Sequence, residues 1–402
     1  MKRLLLVLTW AALAVPAFAQ EPAYQEDLRF ARELRTKGYK DLAEEYLNRL
    51  AKNASPALKD ELALELANAQ LDKAHDEPDT SKRLFLYEQA RVELKKFVET
   101  HPKHARVNEA KLDVARVSVL QGKAQLSRAL ADPATVQEET PDLKKARDLF
   151  TDAGKDLQLV ATDLNRQLAP LREAVSPEDK KLKARLEREV LQAEFAIALN
   201  IYDVAQTFPK DNPKFFKDRN DRVTHASKRF TKVAGGDDTQ SVTWLAKVWL
   251  ARCDEELGKP KNARDAWEGV RQRGGRVPSA AEAVRLARYF DLLAVQYKPD
   301  LLGKKDSLKY VEEGARAWLR DYPRFLTTNE GYGVRYLLAE LLLEKTEKRN
   351  QAELDYGRAL IREIEQTENE FTDRARRQVG LLLLRQKQLG EAIKKLDRKS
   401  VV

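Results

Sequence analysis

The sequence predicts an all-α fold, an α-α superhelical solenoid of irregular, stacked helical hairpins, and three observations carry that prediction. Ala, Leu, Lys, Arg, Glu and Gln dominate, with 16 Gly and 15 Pro in 402 residues, and no run reads as a strand. An apolar triplet spaced four and then three residues keeps returning. The stretches between triplets break at Pro, Asp and Gly. The triplets are Ala43-Leu47-Leu50, Ala90-Leu94-Phe97, Ala146-Phe150-Ala153, Ala226-Phe230-Val233, Ala263-Trp267-Val270 and Ala352-Tyr356-Ala359. Looser copies are Val311-Ala315-Trp318 and Ala392-Leu396. Steps of four and three put the three side chains on one stripe of a helix. Their recurrence implies hairpins that each bury a stripe against the next.

The sequence begins with Lys2 and Arg3, an uncharged and mostly apolar run from Leu4 to Val15, and Pro16-Ala17-Phe18-Ala19. A basic start, a short apolar core and an Ala-x-Ala end are the pattern of a secretory signal peptide, residues 1–19, cut after Ala19. A short membrane anchor is the alternative reading. No Cys stands at the lipid-attachment place, and no later run reaches the roughly 18–20 apolar residues of a spanning helix. The mature protein is expected to be exported, periplasmic or secreted, with no transmembrane segment.

Helix starts follow in order. Ser55-Pro56, Thr140-Pro141 and Ser176-Pro177 each place a capping hydroxyl before a proline at the first helical position. Ser279 and Glu282 have the spacing of a capping box. Gly235-Gly236 and Gly274-Gly275 read as helix stops. Breaks fall near 76–80, 131–142, 209–213 and 298–306. Residues 177–207 read as one long helix, roughly 46 Å at 1.5 Å per residue. It joins an expected N-terminal half, 20–175, to a C-terminal half, 176–402, that begins with the long helix itself.

The residues preceding three of the triplets resemble the tetratricopeptide repeat, a helix–turn–helix unit of 34 residues. Phe30-Ala31, Leu34 and Gly38 stand 13, 12, 9 and 5 residues before Ala43. Leu250-Ala251 and Gly258 hold the same offsets before Ala263, with Asp254 at the apolar position. Val379-Gly380 and Leu383 do so before Ala392, with Lys387 in place of the glycine. Pro102 and Pro323 match the closing proline of the family, each after an aromatic or His residue, and Phe208-Pro209 repeats that ending. The stretch from Tyr87 to Val117 is similar to repeats in exported outer-membrane-barrel assembly lipoproteins, whose lipobox cysteine is missing here. The resemblance implies an exported bacterial cell-envelope repeat protein of this superfamily. It also implies that the first helix of each hairpin lines a concave groove for extended or helical peptides.

The sequence offers little chemistry. Net charge is +9, or +7 without Lys2 and Arg3, and is interleaved with acids, so a solvated helical surface is expected and nucleic acid is not. Cys253 is alone, cannot close an intramolecular bridge, and reads as a small buried hydrophobe; a reactive or intermolecular thiol is the other reading. His101 and His104 flank a proline turn without further ligands, while His75 and His225 stand alone. Gly331-Tyr332-Gly333 has neither the strand nor the Lys-Ser/Thr of a phosphate loop. Asn53-Ala54-Ser55 fits a glycosylation sequon, but Ser55-Pro56 already explains it as a helix start. Catalytic, cofactor and metal residues are expected to be none, and cofactors none.

Trp267 and Trp318 occupy triplet positions and are assigned to the core. Trp244 and Trp249 lie about 140° apart on a helix, so one of them is a candidate to line a groove. The resemblance places Arg32 and Arg35, then Arg252, then Arg374, Arg377 and Arg385 on the groove side. They are candidate ligands for acidic segments or for the terminal carboxylate of a partner; the alternative is solvated helix arginines. The expected function is a non-catalytic exported scaffold or adaptor binding protein or peptide, acidic segments included. The alternatives are a helical accessory region of a cell-wall-acting enzyme system and a self-assembling envelope protein. End-to-end association is suggested by the apolar Val401-Val402 end.

Overall fold

The computed structural model describes residues 24–77, 80–130, 133–344, 349–366 and 372–385. The proposed signal peptide, the Ala392-Leu396 pair and Val401-Val402 lie outside these described residues. Among them are fifteen α-helices and no strand: α1 (Tyr24–Thr36), α2 (Lys40–Ala51), α3 (Pro56–Asp76), α4 (Thr80–Thr100), α5 (Val107–Leu130), α6 (Pro141–Leu168), α7 (Pro177–Gln206), α8 (Phe216–Ala234), α9 (Ser241–Glu256), α10 (Pro260–Gly274), α11 (Ala281–Tyr297), α12 (Lys304–Asp321), α13 (Asn329–Glu344), α14 (Gln351–Glu365) and α15 (Thr372–Arg385).

The protein forms two compact units, Met1–Lys73 and Ala74–Val402. In the first, α1 packs on α2, and Leu28, Ala31 and Leu47 share a core with Leu58 and Leu62 of α3. In the second, each helix from α4 to α11 packs on its successor, as do α11 on α12, α12 on α13, α13 on α14 and α14 on α15. The odd-numbered helices also touch one another in turn, α5 on α7, α7 on α9, α9 on α11, α11 on α13 and α13 on α15. A helix that meets only its neighbours and the next-but-one is the packing of a hairpin stack. The long helix α7 is part of that run and packs directly on both α6 and α8.

Two kinds of helix alternate. The second helix of each hairpin buries one stripe. Ala43 and Leu47, Ala90-Leu94-Phe97, Ala146-Phe150-Ala153, Ala226-Phe230-Val233, Ala263-Trp267-Val270 and Val311-Ala315-Trp318 are all buried, and Leu50 is half-buried. From α5 to α11 the first helix is buried on several sides, because it is clasped by its own partner and by neighbouring hairpins. That is why Trp244 and Trp249 do not compete for one core. Trp244 is buried and donates Nε1–H to the Asp238 carbonyl at 2.8 Å. Trp249 is half-buried among the rings of Tyr202, Phe230 and Phe290, joining one hairpin's core to the next.

One triplet is displaced. Ala352 and Tyr356 are exposed, and α14 instead buries Gly357, Ile361 and Ile364, with the same four-and-three spacing. Burial of two isoleucines outweighs burial of two alanines and a tyrosine whose ring lies 5.6 Å from the Arg316 guanidinium. Gly357 stands where the helices cross: a Cβ there would lie 3.1 Å from Leu343 Cγ and 3.2 Å from Leu342 Cβ.

Helix ends largely follow the sequence. Thr140 and Ser176 accept the backbone N–H of Leu143 and Asp179, and Ser55 accepts that of Leu58 at 3.3 Å. Gly38 and Gly258 turn their hairpins with φ of +86° and +81°, the left-handed region that a side chain resists. Ser279 differs from its expected role. It lies in a 3-10 turn before α11 and donates Oγ–H to the Asp238 carbonyl at 3.0 Å, so no box forms with Glu282. The box forms instead at Asn350 and Glu353.

Candidate functional site

Three of the arginines expected to face a ligand, Arg32, Arg35 and Arg252, are bound to carboxylates of the protein itself. Arg32 on α1 reaches Glu65 of α3 at 2.7 Å, and Arg35 holds Glu65 at 3.1 Å while also pairing with Asp72. Glu65 is 1% exposed, and both guanidiniums meet its buried carboxylate. Arg252 on α9 donates to Tyr202 Oη of α7 at 3.2 Å, to Glu256 Oε1 at 3.0 Å and to Glu255. Arg374 and Arg385 lie with Arg377 in α15, and the side chains of all three lie outside those described.

These contacts belong to a series. Five seams between successive first helices each carry a polar link. Arg32 and Arg35 to Glu65 join α1 and α3; Lys123 to Asp203 at 3.4 Å joins α5 and α7; Arg252 to Tyr202 joins α7 and α9. Lys298, capping α11, reaches Glu255 of α9 at 2.8 Å, and Arg285 of α11 reaches Glu330 of α13 at 2.7 Å. A related knot ties α10, α11 and α12 around the buried Asp291, which accepts from Arg264 at 2.7 Å, from Arg271 at 3.2 Å and from the Tyr310 hydroxyl.

The densest node centres on Glu256. Its Oε2 accepts from Arg219 at 2.6 Å, and its Oε1 from Arg252 and, at 3.3 Å, from Tyr202. Burial alone would raise this carboxyl, but the charges of Arg252 and Arg219 prevail and hold it at about 2. Cys253, next to it, sits buried in the α7–α9 core. Burial first, and the Glu256 charge second, push its thiol up to about 12, so it is a buried small hydrophobe and not a nucleophile at neutral pH. The node was readable in part, since Glu255 and Glu256 follow Arg252 by three and four residues on one helix. Arg219, in another hairpin, gave no local signal.

The remaining sequence candidates also take structural places. Trp267 and Trp318 are buried, and each donates Nε1–H to a carbonyl of the preceding helix, Val248 at 3.1 Å and Arg285 at 3.3 Å. His101 and His104 lie against the Phe97 ring at 5.0 and 5.2 Å between centroids. Gly331 and Gly333 let α13 approach closely: a Cβ on Gly333 would lie 2.3 Å from the Tyr289 hydroxyl. Among the described residues no group of three or more His, Cys, Asp or Glu could hold a metal ion, and no helix is long and apolar enough to cross a membrane.

No family model matches the sequence, and no curated protein matches it. Among solved structures, a circular tandem repeat protein with novel repeat topology and enhanced subunit contact surfaces is 12% identical, with 92% of this chain and 87% of that one aligned and a TM-score of 0.27. Yeast Tom70 is 12% identical over 93% of this chain and 92% of its own, with a TM-score of 0.30. Scores of this size establish neither a common fold nor a common role.

Proposed function

We propose that this protein is an exported, non-catalytic scaffold that binds other proteins on the surface of its hairpin stack, acidic segments among them. The observation behind this is the unbroken succession of hairpins from α4 to α15, with no separate catalytic domain among the described residues. The polar groups of the seams are engaged with each other, so the buried charge holds the stack together and recognition falls to its outer surface. Export rests on the residues 1–19 alone.

The test is crosslinking in living cells followed by affinity capture of the protein and mass spectrometry of both termini and partners. Recovery of a mature form starting at Gln20, with a small set of envelope proteins crosslinked across several hairpins, is the expected result. Recovery of wall glycan without protein would overturn the scaffold reading. A second reading, association between copies, has Leu381 and Leu384 of α15 in its favour, since both are exposed. Sedimentation that stays monomeric across a hundredfold range of concentration counts against it.

A further inference from the structure

A strongly basic surface lies apart from the groove arginines. Residues 210–232 hold eight Lys and Arg against three Asp, a net +5 out of +9 for the whole protein. Within them α8 alone is +4, and no other second helix of a hairpin exceeds +2. Two of its arginines serve the fold: Arg219 is buried on Glu256, and Arg229 pairs with Glu194 at 2.7 Å. The others point outward. Lys217, Arg222 and Lys228 are exposed and carry no ion pair among the described residues, and Lys232 is exposed with a 3.4 Å contact to Glu194. Lys210 and Lys214 of the preceding turn are exposed too. His225 records the field: burial, then the charges of Arg229, Arg222 and Lys228, hold its imidazole below the ordinary range.

We propose that the exposed face of α8, with Lys210 and Lys214 of the turn before it, is the docking surface for an acidic segment of a partner protein. The inference rests on the scaffold reading above and adds the place and the chemistry. Charge complementarity selects the partner. Other polyanions fit less well. Between Lys217 and Lys232 the exposed positions are polar or charged, Asn220, Thr224 and Thr231 among them, and Phe216 at the start of the helix is a single exposed apolar side chain, less than the apolar face with which a helix enters a lipid surface. Asp218 and Asp221 interrupt the stripe, and Phe216 is the one exposed aromatic residue on the helix, which suits neither a continuous phosphate backbone nor stacked bases. Separated carboxylates on a peptide, with hydroxyl and amide donors between them, match the spacing.

The experiment measures binding of a dye-labelled peptide of alternating Glu and Ala, twelve residues long, to the full mature protein by fluorescence anisotropy at low and at physiological salt. The test variant is Lys217→Gln/Arg222→Gln/Lys228→Gln. A control of equal charge is Lys305→Gln/Lys309→Gln/Arg320→Gln on the exposed face of α12. Circular dichroism confirms that both fold. The expected result is at least a tenfold loss for the α8 variant and less than threefold for the control. Equal losses in the two variants, or none in either, overturn the proposal. So does tighter α8-dependent binding to phosphatidylglycerol vesicles or to a single-stranded DNA 20-mer at physiological salt. In the cellular crosslinking, partners captured without any crosslink to α8 refute the surface and leave the scaffold standing, whereas capture of no partner protein refutes the scaffold.

Discussion

Replacing Glu256 by Gln keeps the shape of the side chain and removes its charge from between Arg219 and Arg252. A carboxyl held at about 2 in the folded protein, against 4.5 for an ordinary glutamate, contributes about 3 kcal/mol at neutral pH. The figure agrees with the roughly 3–5 kcal/mol lost when one member of a buried pair is removed. Because the folded value is depressed, the contribution is complete above about pH 4.5 and fades as the pH falls toward 2. Wild type and variant should therefore differ by about 3 kcal/mol at pH 7, and the gap should narrow by about 1.4 kcal/mol at pH 3.5. Urea unfolding followed by tryptophan fluorescence reads this, with Trp249 meeting Tyr202, itself a partner of Glu256, edge to face at 5.2 Å between centroids. A difference below about 1 kcal/mol at pH 7, or one that does not change with pH, would refute the account of the node.

Other variants probe the packing. Ala263→Leu should cost about 1–3 kcal/mol through overpacking of the α10 stripe, read as a lowered thermal midpoint. Gly357→Leu should cost a similar amount, whereas Ala352→Leu, on the exposed face of α14, should stay within about 0.5 kcal/mol of wild type. Equal effects at 352 and 357 would return α14 to the register first expected. Gly333→Ala should be destabilising by about 1–3 kcal/mol in the same assay, because its methyl would meet the Tyr289 ring. Cys253 should resist a thiol reagent at pH 8 and react at once in urea; fast native labelling would show that its site opens.

What the sequence made legible was whatever a single helix decides. Period, caps and stops are local, so the stripe from Ala146 to Ala153 and the cap at Ser176 were found from residues a few positions apart. Where two local patterns competed, as in α14, the choice between Ala352-Tyr356-Ala359 and Gly357-Ile361-Ile364 depended on which stripe Leu342 and Leu343 could meet, and that is tertiary. The arginines illustrate the same limit. Arg32 and Arg35 were placed on a definite helix face, but their partners Glu65 and Asp72 stand thirty or more residues away. A charge reads as free in a sequence until the opposing helix is set beside it. The α8 surface was equally hidden: its excess charge was there to count, yet Arg219 and Arg229 had to be subtracted before the outward-facing remainder could be seen.

The polar links at the seams have a consequence for how the protein finds its own order. The hairpins bury nearly interchangeable small-and-large stripes, so apolar contact alone scarcely tells one neighbour from another, and look-alike units are where repeat proteins misassemble. The links differ from seam to seam: a double arginine on one glutamate, a lysine on an aspartate, an arginine on a tyrosine, a lysine on a glutamate, and an arginine lying over the Phe325 ring on another glutamate. A hairpin docked out of turn would leave a buried or half-buried seam carboxylate without its own cation, which counts against that arrangement. The links thus add to each seam a contact that the stripe alone does not specify.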